Sequence, residues 1–209
     1  MTESPFSLTA PLTDEAILAL HSGDNVLLNG VIVTARDRAH QWLHERFIRQ
    51  TIVPTPEDQQ VYNALKAYLQ NGLIYHCGPL VEKSPDGSYH FIAAGPTTST
   101  REEPYQAEIM QHFNLKGVIG KGGMGAQTLQ ACVQTPAAYF HAVGGTAALT
   151  ARAVVEVLEV FKLEFGMPEA MWVVRVKDFP AVVTMDAHGQ SLHEQVLKRS
   201  QNELERLIG

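Results

Sequence analysis

Residues 117–128 read GVIGKGGMGAQT. Gly120, Gly122 and Gly125 fit the spacing G-x-G-x-x-G, and Lys121 sits inside it. An apolar run precedes the glycines and a helix-compatible run follows. The stretch therefore reads as the turn of a strand–turn–helix unit. Free backbone N–H groups at the start of a helix attract an anion. A dinucleotide site also wants an acid about 20 residues later, at the end of the next strand. That strand, AAYFHAVGG, ends without Asp or Glu. A P-loop wants Ser or Thr after its lysine, and Gly122 stands there. A smaller anion fits better than a nucleotide, and a flexible loop that binds nothing stays open.

The flanking sequence alternates the same two kinds of element. Residues 13–20 read as a helix with Thr13 as its N-cap. Residues 25–34, NVLLNGVIVT, read as strand material broken at Asn29-Gly30. Helices are expected over 36–50 and 56–70, the second closed by Asn71-Gly72. Two strands, 73–82 and 88–95, flank the turn Ser84-Pro85-Asp86-Gly87. Then come a helix over 102–113, a strand over 115–119, a helix over 126–134 and a strand over 137–143. One long helix is expected from Thr146 to Phe165. Residues 171–177 and 181–186 read as two strands around Asp178-Phe179-Pro180, with Trp172, Val174 and Val176 on one buried face. Residues 190–208 read as a closing helix with Leu192, Val196, Leu204 and Leu207 turned inward. With no low-complexity linker and no repeat, a single domain over 1–209 is expected, α/β in class, with a mixed β-sheet and flanking helices.

Three turns share one theme: a strand, a polar or glycine turn, and a helix start with a cation beside it. The first, VIVTARDRAH, carries Arg36 and, one turn on, His40. The second, IAAGPTTSTR, carries Thr97, Thr98, Ser99 and Arg101. The third carries Lys121. A fixed cation at a helix N-terminus is slightly unfavourable, by a few tenths to about 1 kcal/mol. Three of them point to something negative between the turns. A small dicarboxylate needs cations at both ends, and the planar arginine fork can make two parallel bonds to a carboxylate. Plainer readings stand beside this one. A lone arginine is usually a solvated surface residue, and Thr and Ser are good helix caps in their own right.

Composition narrows the classes. The 209 residues are 45% hydrophobic and carry a net charge of −6, which fits a globular protein and argues against a nucleic-acid partner. MTESPFSLTA shows no basic-then-apolar secretory pattern, and no apolar run reaches membrane-spanning length. A cytoplasmic, reducing location is expected from the two isolated cysteines, Cys77 and Cys132. Two thiols alone do not hold an iron–sulfur cluster. Cys77 reads as a buried structural thiol. His40 and His44 share a helix face without a third ligand, so no metal site is expected on this chain.

Together the stretches NGVIVTARDRAH, YHCGPLV, AAGPTTSTR, GVIGKGGMG, VGGTAAL and EFGMPEAMWVVRVKDFPAVVTMDAHG resemble the β subunit of the iron–sulfur hydro-lyases. These are class I fumarate hydratase and L(+)-tartrate dehydratase. The resemblance runs from about residue 25 to 189. It implies a swivelling β/β/α domain and an α partner that holds a 4Fe-4S cluster through three cysteines, in an α2β2 assembly. The implied chemistry is reversible hydration of a C4 dicarboxylate, with the partner's open iron as Lewis acid. By resemblance, Arg36, Thr97, Thr98, Arg101 and Lys121 bind substrate. Thr97, Arg101 and Lys121 fall at catalytic positions, Thr97 at the position proposed as base. Asp37, His40, Gly120 and Gly122 support them. The stretch KDFPAVVTMDAHG resembles fumarase forms, whereas GPTTSTR is shared more with two-subunit proteins, tartrate dehydratases included. Fumarate/malate is therefore the first expectation and tartrate the second. Methionine is common after the arginine in this family; here it is Glu102, which adds negative charge near the expected pocket. Two other classes stay open: a stand-alone dicarboxylate-binding module, and a nicotinamide-dependent oxidoreductase resting on the three glycines alone.

Overall fold

The computed structural model describes residues 4–208, so the first three residues of the N-terminal stretch lie outside the described residues. The chain runs β1 (Phe6–Ala10), α1 (Asp14–Leu18), β2 (Asn25–Thr34), α2 (Asp37–Leu43), which a π-helical turn (His44–Ile48) continues, and α3 (Pro56–Leu69). Next come β3 (Leu73–Tyr75), β4 (Leu80–Lys83), β5 (Tyr89–Ala93), a 3-10 turn (Ser99–Arg101) and α4 (Glu103–Phe113). Then follow β6 (Gly117–Gly120), α5 (Ala126–Gln134), β7 (Ala138–His141), α6 (Ala147–Arg152), β8 (Val154–Phe161), β9 (Met171–Met185) and α7 (Leu192–Ile208). The fold is α/β with a mixed sheet in the order β1-β2-β3-β6-β7-β9-β8; β4 and β5 form a separate hairpin.

Strands β1, β2, β3, β6 and β7 are parallel, while β9 runs antiparallel to β2, β7 and β8. Because β9 pairs with both β7 and β2, strands β2, β3, β6, β7 and β9 close into a ring. Alternate strand residues point to opposite faces, so neighbours serve different cores. Ile32, Tyr75, Ile119, Phe140, Trp172 and Val174 belong to one; Val33, Ile74, Val118, Tyr139 and Val173 belong to the other. The second core receives Trp42 and Leu43 of α2, Leu65 of α3, Phe113 of α4 and Cys132 of α5. Each large apolar side chain so buried contributes about 1.5–3 kcal/mol. Trp172, Val174 and Val176 share one buried face, as their spacing predicts.

Several elements differ from the sequence reading. β1 had no strong signal and pairs with β2 along its whole length. Asn29-Gly30 is a bulge inside one continuous β2, not a break, and 171–186 is one strand rather than two. The two irregularities face each other. Asn29 Oδ1 accepts the N–H of Asp178 at 2.8 Å, and Asp178 adopts φ 50°. The expected 146–165 helix stops at Arg152, and Val154–Phe161 is strand β8, paired with β9. β-Branched Val154, Val155, Val157 and Val160 favour a pleated surface once a partner strand is present. α7 forms as expected, but none of its residues is buried, and Leu204 and Leu207 are exposed. Amphipathic spacing specifies an apolar face; it does not supply the surface that covers it.

Candidate functional site

The carboxyl ends of parallel strands are where α/β folds, open or closed, place ligands. Here β2, β3, β6 and β7 end along one edge, laced by backbone bonds. Ala35 N–H donates to Tyr75 O (3.0 Å), His76 N–H to Ile119 O (2.8 Å) and Ala142 N–H to Gly120 O (2.8 Å). The segment Pro96–Ser99 enters this edge between β3 and β6. Thr97 N–H donates to His76 O (2.7 Å), Lys121 N–H to Thr97 O (3.3 Å) and Ser99 N–H to Lys121 O (3.1 Å). Thr98 bridges Lys121 in parallel register. The turn after Ser99 then carries Arg101 to an ion pair with Asp37, the first residue of α2. Arg36, the N-cap of α2, pairs with Glu169 at 3.1 Å. The structure thus draws Arg36, Asp37, Thr97, Thr98, Arg101 and Lys121 from three separate turns to one edge. Two of the three cations have carboxylate partners within the chain; Lys121 forms none of the ion pairs found among the described residues.

The glycine turn answers differently from its spacing. The anion at the start of α5 is the chain's own Glu103. Its carboxylate accepts Gly125 N–H (2.7 Å), Gln127 N–H (3.1 Å), Thr128 N–H (3.2 Å) and the Thr128 hydroxyl (2.7 Å). Those are the donors that a phosphate or dicarboxylate would have used, so the expected outside anion at this helix start is corrected. Gly125 is required for that approach, since a Cβ there would lie 2.6 Å from Glu103 Oε1. Gly120 leaves room for the Ser99 hydroxyl, which a Cβ would overlap. Gly122 takes φ 81° to turn the chain away from Lys121. Lys121 itself precedes α5 by five positions and belongs to the extension of β6, not to a helix start.

The sequence profile described as Fumarase C-terminus matches residues 2–196. The chain belongs to this family. It is 47% identical over 95% of its length to a provisionally named class I fumarate hydratase of Geobacillus stearothermophilus, of which it spans 35%. It is 38% identical to a provisionally named L(+)-tartrate dehydratase subunit beta of Methanocaldococcus jannaschii, covering 95% of this chain and 96% of that one. It is also 38% identical to the L(+)-tartrate dehydratase subunit beta of Escherichia coli (strain K12), over 88% and 85% of the two chains.

Behind the exposed edge of this fumarase C-terminus chain lies a buried polar network that sequence reasoning did not assemble. His40 Nδ1 is 2.9 Å from the Arg36 carbonyl, and His76 Nδ1 is 2.9 Å from Ser99 Oγ, which also accepts the Tyr139 hydroxyl at 2.8 Å. Nε2 of both rings lies 2.9 Å from Gln106 Oε1. Burial holds the His40 ring below its ordinary pKa and the His76 ring well below it, so both are neutral. A neutral ring has one N–H, and a carbonyl accepts only. His40 therefore gives its proton to Arg36 O and needs a donor at Nε2. Turning the Gln106 amide over supplies one to both rings from its NH2, whose nitrogen otherwise has no partner. His40 thus fixes the Arg36 backbone; among the described residues no group of three or more His, Cys, Asp and Glu is arranged to hold a metal ion.

Glu102 does not meet solvent. It is fully buried, 4.0 Å from His76 Nδ1 and against the Asp37 carboxyl. Burial, then the hydrogen bond and charge of Asp37, push its carboxyl up to about 8. For Asp37, burial acts upward, but the Glu102 hydrogen bond and the Arg101 charge outweigh it and hold the group below its usual range. Burial pushes the Cys77 and Cys132 thiols up to about 12, so both are protonated, inert and unsuited to a cluster. His76 lies in YHCGPLV, and nothing in its spacing marks it as part of a site. The role of Glu103 had no local signal, because it caps a helix that begins 23 positions later.

Proposed function

We propose that this chain is the substrate-gripping β component of a hydro-lyase that adds water reversibly across a C4 dicarboxylate, fumarate/malate first. The observation that carries the proposal is where the chain leaves buried polar atoms unpartnered. Native interiors pair nearly all such atoms. Among the described residues Arg36 Nε, Asp37 Oδ1, His44 Nε2, Thr97 Oγ1, both Glu102 oxygens, Gln106 Nε2 and His141 Nδ1 lack partners. Of these, Arg36 Nε and Thr97 Oγ1 are groups at the strand-end edge that can donate to an anion. Thr97 Oγ1, buried beside the Lys121 backbone and without an internal bond, is the group we assign to the base position. Arg101, half exposed and already oriented by Asp37, offers its remaining N–H groups to one carboxylate. Lys121 and Arg36 serve the other, and Thr98 lies between them. Gly120, Gly122 and His40 hold the backbone that carries these groups. Cations fixed beside a carboxylate stabilise the charge that builds there when the adjacent carbon loses its proton.

The 4Fe-4S cluster belongs to an α partner carrying three cysteines, since the thiols of this chain do not fit it. The swivelling β/β/α naming, a single domain, an α2β2 assembly and a cytoplasmic location complete the proposal. No helix among the described residues is long and apolar enough to cross a membrane. Tartrate is the second reading: the chain is 38% identical to the L(+)-tartrate dehydratase subunit beta of Escherichia coli (strain K12).

The test is anaerobic co-production with the α partner. The chain alone should be inactive, and the pair should hydrate fumarate. Arg101→Met should lower kcat/KM on the order of 10²–10³-fold with the fold intact. A cluster-loaded pair that turns over neither malate nor tartrate sinks the proposal.

A further inference from the structure

Arg101 is held from behind by Asp37, and Asp37 is in turn backed by Glu102. With both carboxyls ionised, Asp37 Oδ1 and the two Glu102 oxygens are buried acceptors facing one another, and none has a donor. A single proton converts that clash into a hydrogen bond and leaves one negative charge to pair with Arg101. Oriented donors of this kind are how buried carboxyl pairs persist. We propose that Glu102 is a positioning residue: as a neutral acid it donates to Asp37 Oδ1, fixes Asp37 against Arg101 and so sets the guanidinium for the dicarboxylate.

The surroundings are consistent with one proton on the pair. From α2, Glu102 faces Asp37, which the Arg36 and Arg101 charges also reach; His40 of that helix is neutral. From the end of β3 it faces His76, also neutral. From β7 it faces Tyr139, whose hydroxyl is held protonated by burial and spent on Ser99. On its own segment the nearby charge is Arg101, and Gln106 follows one turn along α4. The carboxyl of Glu102 is raised to about 8. Below that pH, Arg101 has one carboxylate behind it and a share of its charge left for substrate. Above it, two carboxylates compete with the substrate for the same guanidinium.

This inference rests on the proposed dicarboxylate site, and the experiment separates the two. Carboxyl carbon NMR of the full chain, labelled at Glu and Asp, should show one group titrating near 8 that vanishes in Glu102→Gln. In the reconstituted pair, KM for fumarate should rise about tenfold from pH 7 to 9 with kcat little changed. Glu102→Gln, which keeps a donor toward Asp37, should hold KM flat across that range. Glu102→Met, which removes the donor, should raise KM at every pH. A purely structural Glu102 would lower stability in both variants and leave the KM profile of each like that of the wild type. Titration of Glu102 in the ordinary carboxylate range, or an alkaline rise in KM that survives Glu102→Gln, overturns the inference. If the pair is inactive on malate and tartrate alike, the proposed function falls, and the carboxyl titration alone decides the state of Glu102.

Discussion

Glu102 and Glu103 are adjacent in sequence and opposite in circumstance. The carboxylate of Glu103 lies at a helix start and accepts four hydrogen bonds, so its charge is spent inside the chain. The carboxyl of Glu102 is buried without a donor and backs the ion pair of Asp37 with Arg101. The first corner is closed and the second is incomplete. The difference teaches which of two anion-binding signatures is structural. The glycine-rich turn has the stronger motif and is already filled, whereas the GPTTSTR turn has the weaker motif and holds the unpaired groups.

Breaking the closed corner should have a large effect at every pH. Glu103→Ala strips a charged acceptor from three backbone N–H groups and a hydroxyl, and should lower the unfolding free energy by about 3 kcal/mol in urea melts. A loss under about 1 kcal/mol would mean that water replaces the cap and that the corner is not closed. Gly125→Ala should cost about 2 kcal/mol by forcing the same carboxylate back. The two changes strike one contact, so the double variant should lose well under the sum; full additivity would refute a shared cause.

The effect at Glu102 depends on pH, and its sign is opposite. The folded value near 8 lies above the ordinary 4.5, so the folded chain holds an extra proton between those values. Stability contributed by that protonated group is complete below about 4.5 and is lost as pH rises through 8. Glu102→Gln should therefore match the wild type near pH 4 and exceed it near pH 9. Parallel stability curves would remove the contrast between the two glutamates.

The parts of the fold that were legible are those with a local cause. Thr13 caps α1 and Thr55 caps α3 through side-chain bonds within three residues, and α4, α5 and β6 follow their periodicity. The parts that were not legible depend on a distant partner. Val154–Phe161 is a strand because β9 lies beside it, and Asn29-Gly30 is a bulge because Asp178 faces it. In the site, the residue types of Arg36, Arg101, Lys121 and the threonines were readable as anion-binding chemistry. The His40–Gln106–His76–Ser99 network was not, because its members come from four segments with no common spacing.

The sequence by itself determined the alternation of strands and helices, the cations and hydroxyls at three turns, and the family. Those follow from side-chain chemistry and from spacings of a few residues, which a linear text records. Only the tertiary structure decided which helix start is filled from within, which carboxyl must share a proton, and which cations remain to meet a ligand. Burial and hydrogen-bond partnership are properties of neighbours in space, and here those neighbours lie as far apart along the chain as Arg36 and Glu169.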